Sequence, residues 1–384
     1  MIFPSRFPIP LALILACSCG PGVAEGPLPD SSDSDDISSP LLACPEISAA
    51  PCSADSAALP VLAAATQIDD AAQMVAFARN ALLLERRTAG IEEPFVWILD
   101  YLAPQDTRQH AFAELPARPS TSMRPVGLAY NLKSPFEMDR VVVLLSNDGE
   151  SALYEAQIYP GTDTPADLLP VRNGKLPTLG VLRGLTYLRE NVKGQGNVYV
   201  GRLCAFGDGI FCFDGSNWMT EMEPETGPLV NDLSVLRVGN NNWIIAVGDS
   251  GLIMIDSATG FKALPSHTEA NLLRVSVHED KFTAVGEEGV LINGTAGETV
   301  ACTASSETLV AINRGGEDDL KGVSASGKIF EILLENRTGA FCFTGQNVGS
   351  AIDARFGGCG ASSDNYLVLT SDFLYGETDC VTPL

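Results

Sequence analysis

The chain has 384 residues, and its 48 acidic against 24 basic side chains give a net charge of −24. That balance excludes the basic stripe that nucleic-acid binding requires, and it excludes attachment to an anionic membrane surface by charge alone. With 45% hydrophobic residues the chain can bury a large core.

Arg6 is the only charge before an apolar stretch at residues 7–16. This stretch is far shorter than the ~20 residues that span a bilayer, and residues 1–16 read as a secretory signal peptide. Ile14-Leu15-Ala16-Cys17 looks like a bacterial lipobox, in which Cys17 becomes the lipid-modified first residue. The alternatives are modification at Cys19 and a plain cleaved signal. Ser18 after the cysteine implies, by the rule for such proteins, the outer membrane or cell surface; without a lipid the location is periplasmic or secreted. Residues 17–60 are rich in Gly, Pro, Ser, Asp and Ala and include the run Asp30–Asp36. Such a segment has too little apolar surface to offset its ordering entropy and reads as a disordered tether. It lacks the Gly turn and closing Glu of an EF-hand calcium loop. The folded part is expected over residues 61–384.

From there, short apolar runs alternate with polar turns. Val61–Thr66 is apolar. Met74–Phe77 and Leu82–Leu84 flank a turn near residue 81. Residues 69–87 also suit an amphipathic helix, but the break at Arg79-Asn80 favours two strands. Further hairpins are expected around residues 149, 209, 251, 289, 327 and 373. Gly251, Gly289 and Gly327 are spaced 289 − 251 = 38 and 327 − 289 = 38. A fixed period of this size marks a repeat architecture, and each Gly supplies the φ > 0 position of its turn. Additional runs at 126–130, 185–188, 261–264, 273–277, 299–302 and 309–312 complete about four strands per ~40-residue unit. One such sheet cannot bury both faces, so the units must pack on one another in a closed ring. The last unit is short after Tyr375, and Val61–Thr66 is expected to supply its missing outer strand, since an open ring would expose a sheet edge.

These units resemble the WD/YVTN/BNR-like superfamily of propeller repeats, and are similar to those of photosystem II assembly factors. Ile245-Ala246-Val247-Gly248-Asp249-Ser250-Gly251-Leu252-Ile253 carries one half of that pattern. Phe213-Asp214-Gly215-Ser216-Asn217-Trp218 carries the other, which is also the shape of an Asp-box turn. The resemblance implies an all-β propeller, most simply of seven blades, with six and eight as alternatives. It implies little about activity, because propellers host many unrelated functions.

The ten cysteines, behind a signal peptide, read as disulfides. Cys204 and Cys212 flank one turn and face each other across a hairpin. Cys302 and Cys342 lie about one repeat apart and suit a bridge between adjacent blades. Cys44 with Cys52 and Cys359 with Cys380 follow by elimination, and lipidation at Cys17 leaves Cys19 without a partner. No Cys-x-x-Cys occurs, and His110, His267 and His278 have no metal-ligand spacing. No catalytic, metal or cofactor-binding set is therefore expected. Trp97, Trp218 and Trp243 suit packing between blades. The sequons at Asn293 and Asn336 read as chance. The expected function is that of a surface-tethered, non-catalytic, monomeric binding propeller for a protein or glycan ligand. The alternatives are a sialidase-like glycan hydrolase and a scaffold for envelope assembly.

Overall fold

A computed structural model describes residues 62–377 apart from connecting segments, the longest at 100–108, 115–122, 132–138, 159–168, 192–198 and 357–365. The signal, the tether, and Cys17, Cys19, Cys44, Cys52, Cys359 and Cys380 lie outside the described residues.

The chain enters through β1 (Leu62–Gln67). Blade 1 holds β2 (Ala71–Ala78), β3 (Ala81–Thr88), β4 (Ile91–Leu99) and β5 (Gln109–Glu114). Blade 2 holds β6 (Arg124–Asn131), β7 (Asp139–Ser146), β8 (Ser151–Ile158) and β9 (Leu169–Pro170). Blade 3 holds β10 (Leu182–Asn191), β11 (Tyr199–Gly207), β12 (Ile210–Phe213) and β13 (Trp218–Met222). Blade 4 holds β14 (Val230–Val238), β15 (Asn241–Gly248), β16 (Ile253–Ser257) and β17 (Gly260–Ala263). Blade 5 holds β18 (Leu272–His278), β19 (Lys281–Gly286), β20 (Val290–Gly294) and β21 (Thr299–Thr303). Blade 6 holds β22 (Leu309–Arg314), β23 (Asp319–Ser324), β24 (Lys328–Glu335) and β25 (Thr338–Asn347). Blade 7 holds β26 (Ala351–Phe356), β27 (Tyr366–Thr370) and β28 (Phe373–Glu377), with β1 as its fourth strand.

Among the described residues these are seven four-stranded antiparallel sheets. The first strand of each packs on the first strand of the next, from β2 through β6, β10, β14, β18 and β22 to β26, and β26 packs on β2. The ring is therefore closed. β1 pairs with β28 in the register Leu62↔Glu377 to Gln67↔Phe373, so the strand nearest the N-terminus completes the blade nearest the C-terminus.

The core lies between blades, and this explains the unbroken apolar runs. In β15, Ile244 and Ala246 join blade 3 residues such as Phe206 and Ile210, while Ile245 and Val247 join Phe282 and Ile292 of blade 5. In β11, Leu203 and Ala205 face blade 2 and Cys204 and Phe206 face blade 4. A strand buried on both faces has no polar side to alternate with. Trp218 packs on the seam between blades 2 and 3, its ring 5.2 Å from that of Phe213, and Trp243 packs on the seam between blades 4 and 5.

One expectation needs correcting. The hairpin placed near residue 81 joins β2 to β3, the first and second strands of its blade. In the other six blades the expected hairpin joins the second and third strands. The second-to-third connection of blade 1 falls at 89–90 instead, where the sequence reads Ala-Gly. Where the alternative reading is an amphipathic helix, Ala71–Ala78 and Ala81–Thr88 are strands.

Candidate binding face

In an up-and-down blade, the turns between second and third strands and the connections to the next blade come out at the same end of the ring. This end, the turn face, is built to a repeated plan. The first residue after the second strand donates its N–H to the carbonyl just before the first strand. The pairs are Asp208 to Val181 (3.0 Å), Asp249 to Leu229 (2.9 Å), Glu287 to Asn271 (2.9 Å) and Ala325 to Thr308 (2.8 Å). In blades 3, 4 and 5 the preceding residue is glycine. A Cβ at Gly207, Gly248 or Gly286 would lie 2.0 Å from the oxygen of Val181, Leu229 or Asn271.

The turns are tight. Asp249 O accepts from Leu252 N–H at 3.0 Å, and both central residues are left-handed, Ser250 at φ 53° and Gly251 at φ 70°. Glu288 (φ 55°) and Gly289 (φ 66°) repeat this in blade 5. That is the type I′ geometry, whose twist matches that of the flanking strands. Blade 6 differs: Ser324 O accepts from Gly327 N–H at 2.9 Å, and the left-handed residue is Gly327, at φ 81°.

A second repeated device lies on the innermost strands. Each of the seven carries one extra residue near its start, at Ala72, Val126, Arg183, Asn231, Leu273, Val310 and Ile352. A bulge interrupts the ladder and re-aims the residue it contains. Two neighbours in this ring are polar, and they join across blades. Arg183 Nη1 donates to Asp249 Oδ1 at 2.8 Å and also to Asn231 Oδ1. Asn231 Nδ2 donates to the same Asp249 oxygen and to Leu272 O, each at 2.9 Å. Beside it, Asp232 Oδ2 accepts from Val275 N–H at 3.0 Å. The innermost strands are sheet edges, and these side chains satisfy backbone groups that no ladder reaches.

The electrostatics of the turn face are acidic. Asp208, Glu223, Asp249, Glu269, Glu287, Glu288 and Glu307 all sit on second-to-third turns or blade-to-blade connections. Two more of its cations also bond within the face: Arg274 Nη1 donates to Leu273 O, and Lys328 Nζ pairs with Glu307, whose other oxygen accepts from Ser326. Burial pushes the Glu307 carboxyl up. The hydrogen bonds from Lys328, Ser326 and Ser324 and the lysine's charge outweigh this, so it sits below the usual carboxylate range. Asp208 goes the other way. Burial raises it more than the backbone N–H groups around it lower it, and its Oδ1 is buried with no hydrogen-bond partner among the described residues.

The other expected residues are scattered. Cys204 and Cys212 form a disulfide between directly opposed positions of β11 and β12. Cys302 and Cys342 lie on β21 and β25, the outer strands of neighbouring blades, and their side chains are outside the description. The Asp-box-like turn Phe213–Trp218 joins the third and fourth strands, so it lies at the opposite end from the turn face. His267 is in a turn-face connection, whereas His278 ends β18 at the far end. The described residues contain no group of three or more His, Cys, Asp or Glu side chains able to hold a metal. The Asn293 side chain is buried, its Oδ1 accepting from Thr283 Oγ1 at 2.7 Å, which removes it as a sequon in the folded chain.

Solved structures share this architecture. The WD40 repeats of RRP9 align with a TM-score of 0.54 over 85% of this chain and 98% of theirs, at 10% identity. The chain is a β-propeller. The WD40 propeller domain of Doa1 gives a TM-score of 0.53 at 10% identity, over 82% of this chain and 96% of that one. BBS1N, solved in complex with ARL6DN, gives 0.51 at 13% identity over 83% and 97%. At such identities the likeness to these propellers is one of fold. No protein-family model matches the chain, and no curated protein matches it in sequence.

Proposed function

We propose that this propeller is a non-catalytic binding module, carried on a lipid-anchored tether at the cell envelope, that holds a protein partner on its turn face. The observation that carries the reading is the construction of that face. Its turns are pinned by a repeated backbone hydrogen bond and a close glycine contact, so its acidic side chains stand on a rigid frame. A preorganised surface loses less entropy on association than a mobile one. Its charge suits a partner that presents cationic side chains, with complementarity setting association rate and specificity more than affinity. A propeller solved with a protein bound, BBS1N with ARL6DN, shows the fold in that kind of use. The tether and the anchor rest on the sequence around Cys17 and on the composition of residues 17–60.

The test is a capture experiment from detergent-solubilised envelope with the full chain. Two charge-reversal variants are compared with the wild type: Glu269→Lys with Glu287→Lys on the turn face, and Glu279→Lys with Asp280→Lys at the far end. Loss of a protein partner only with the first variant is the expected result. Loss only with the second would move the binding face to the other end of the ring.

A further inference from the structure

Arg183 is the one bulged residue of the innermost ring that carries a charge. Its guanidinium is fixed at one corner. The two hydrogen bonds to Asp249 and Asn231 both leave from Nη1 and reach the next blade. Asn231 is itself locked by its bonds to Asp249 and Leu272. The donors on Nε and Nη2 have no partner among the described residues, and the side chain is 37% exposed. Two residues earlier, Val181 is 49% exposed, one of the large apolar side chains that the described surface leaves open. Its backbone is held by the hydrogen bond from Asp208.

A pin between blades explains only part of this. Asp249 already accepts from Asn231, and a pin has no need of a partly exposed arginine with donors to spare. The Nε–Nη2 edge of arginine matches a carboxylate through two parallel hydrogen bonds, and fixing the group beforehand reduces the entropy lost on binding. An ordered arginine beside an exposed apolar side chain is also the composition typical of an interface hot spot.

The surroundings select among anions. Glu223, Glu269, Glu287 and Glu288 give the face a negative field, so a polyanion or a dianionic phosphate is repelled while a single negative charge can be offset by cations next to it. The geometry points to Arg183 as the anchor for one carboxylate of an extended protein segment. Apolar residues beside that carboxylate cover Val181, and cationic side chains further out meet the acidic turns. This rests on the binding-face reading and adds to it the residue that specifies the partner.

The test uses the full chain and short amidated, fluorescent peptides read by anisotropy. The probe has a central glutamate, a valine on each side and lysines at both ends. Its two controls replace the glutamate with glutamine or with phosphoserine. Wild type is expected to hold the glutamate peptide about tenfold more tightly than the glutamine peptide, as for a charge-assisted pair. Arg183→Lys keeps the charge and loses the fork, and should bring that ratio close to one with the far-UV spectrum unchanged. Equal binding of the glutamate and glutamine peptides by wild type overturns the role of Arg183 and leaves the acidic face standing. So does an undiminished ratio in Arg183→Lys. Preference for the phosphoserine peptide overturns the carboxylate assignment. Failure of all the lysine-bearing peptides to bind counts against the face itself.

Discussion

Gly248 stands directly against Leu229, and a Cβ on the glycine would lie 2.0 Å from the leucine carbonyl oxygen. The same oxygen accepts from Asp249 N–H, so it cannot move aside without breaking the bond that holds the turn. Gly248→Ala should therefore cost about 2–3 kcal/mol, the upper part of the range for overpacking. Gly286→Ala should behave alike against Asn271. Gly227→Ala is the control, because nothing lies within 4 Å of its added Cβ. Urea midpoints of the three variants check this, and equal midpoints for Gly248→Ala and Gly227→Ala would contradict it.

Glu288 and Ser250 occupy left-handed backbone without being glycine. That conformation costs an L-residue roughly 1–2 kcal/mol. Glu288→Gly and Ser250→Gly should each recover part of this, raising stability by about 0.5–1 kcal/mol after the entropy that glycine adds to the unfolded chain. The following glycine responds oppositely. Gly251→Ala places a Cβ at φ 70° and 2.0 Å from Thr268 O, and should be strongly destabilising. Thermal melts of the paired variants give the opposed signs directly.

The 38-residue spacing of Gly251, Gly289 and Gly327 made the hairpins legible, because a turn needing φ > 0 leaves a glycine behind. The continuous run Trp243–Val247 made the doubly buried second strand legible in the same way. Blade 1 was misregistered because Met74–Phe77 and Leu82–Leu84 are apolar enough for any strand pair, and no turn glycine separates them. The bulges left no trace, since one extra residue does not change an apolar pattern. Arg183 was missed for a different reason: its partners Asn231 and Asp249 are 48 and 66 residues away and meet it only once the blades close. The packing role of Gly248 was hidden behind the turn role of Gly251, although the recurrence of Val-Gly-Asp and Val-Gly-Glu was visible.

Two turn-face carboxyls should give opposite pH dependences. Glu307 is held below its ordinary range in the folded chain, so its contribution is present above the unfolded pKa and is lost as pH falls through the folded one. Asp208 is held above its ordinary range, so its charged form costs stability at neutral pH. That cost is relieved as pH falls through the raised value toward the usual range near pH ~4. Asp208→Asn should therefore stabilise the protein at pH 7, with the gain shrinking on acidification. Lys328→Met should destabilise at pH 7 and flatten the acid limb that Glu307 supplies. Urea midpoints across the acid range measure both, and a gain from Asp208→Asn that persists unchanged at low pH would refute the assignment.

β1 holds the ring shut through its pairing with β28. A chain that begins at Ile68 lacks that strand and leaves β28 as an open edge. At about 0.5–1.5 kcal/mol net per backbone hydrogen bond, losing the ladder should cost several kcal/mol and lower Tm. A chain beginning at Leu59 keeps the strand and should melt like the full protein. Coincident melting of the two shortened chains would mean that the strand contributes nothing to closure.

The pairing of Leu62 with Glu377 spans 377 − 62 = 315 positions of sequence. During synthesis the blades in between can form one after another as they appear, since each is local. Among the described strands β1 is the first to be made and its partner β28 the last. Until β28 is released, an apolar strand waits unpaired at one end of a growing row of blades. Such an edge is open to pairing with another chain, and so long a closure is slow on entropic grounds. The seventh blade can thus form only after β28 has been made, which leaves this step of assembly the one most exposed to chaperones and to aggregation.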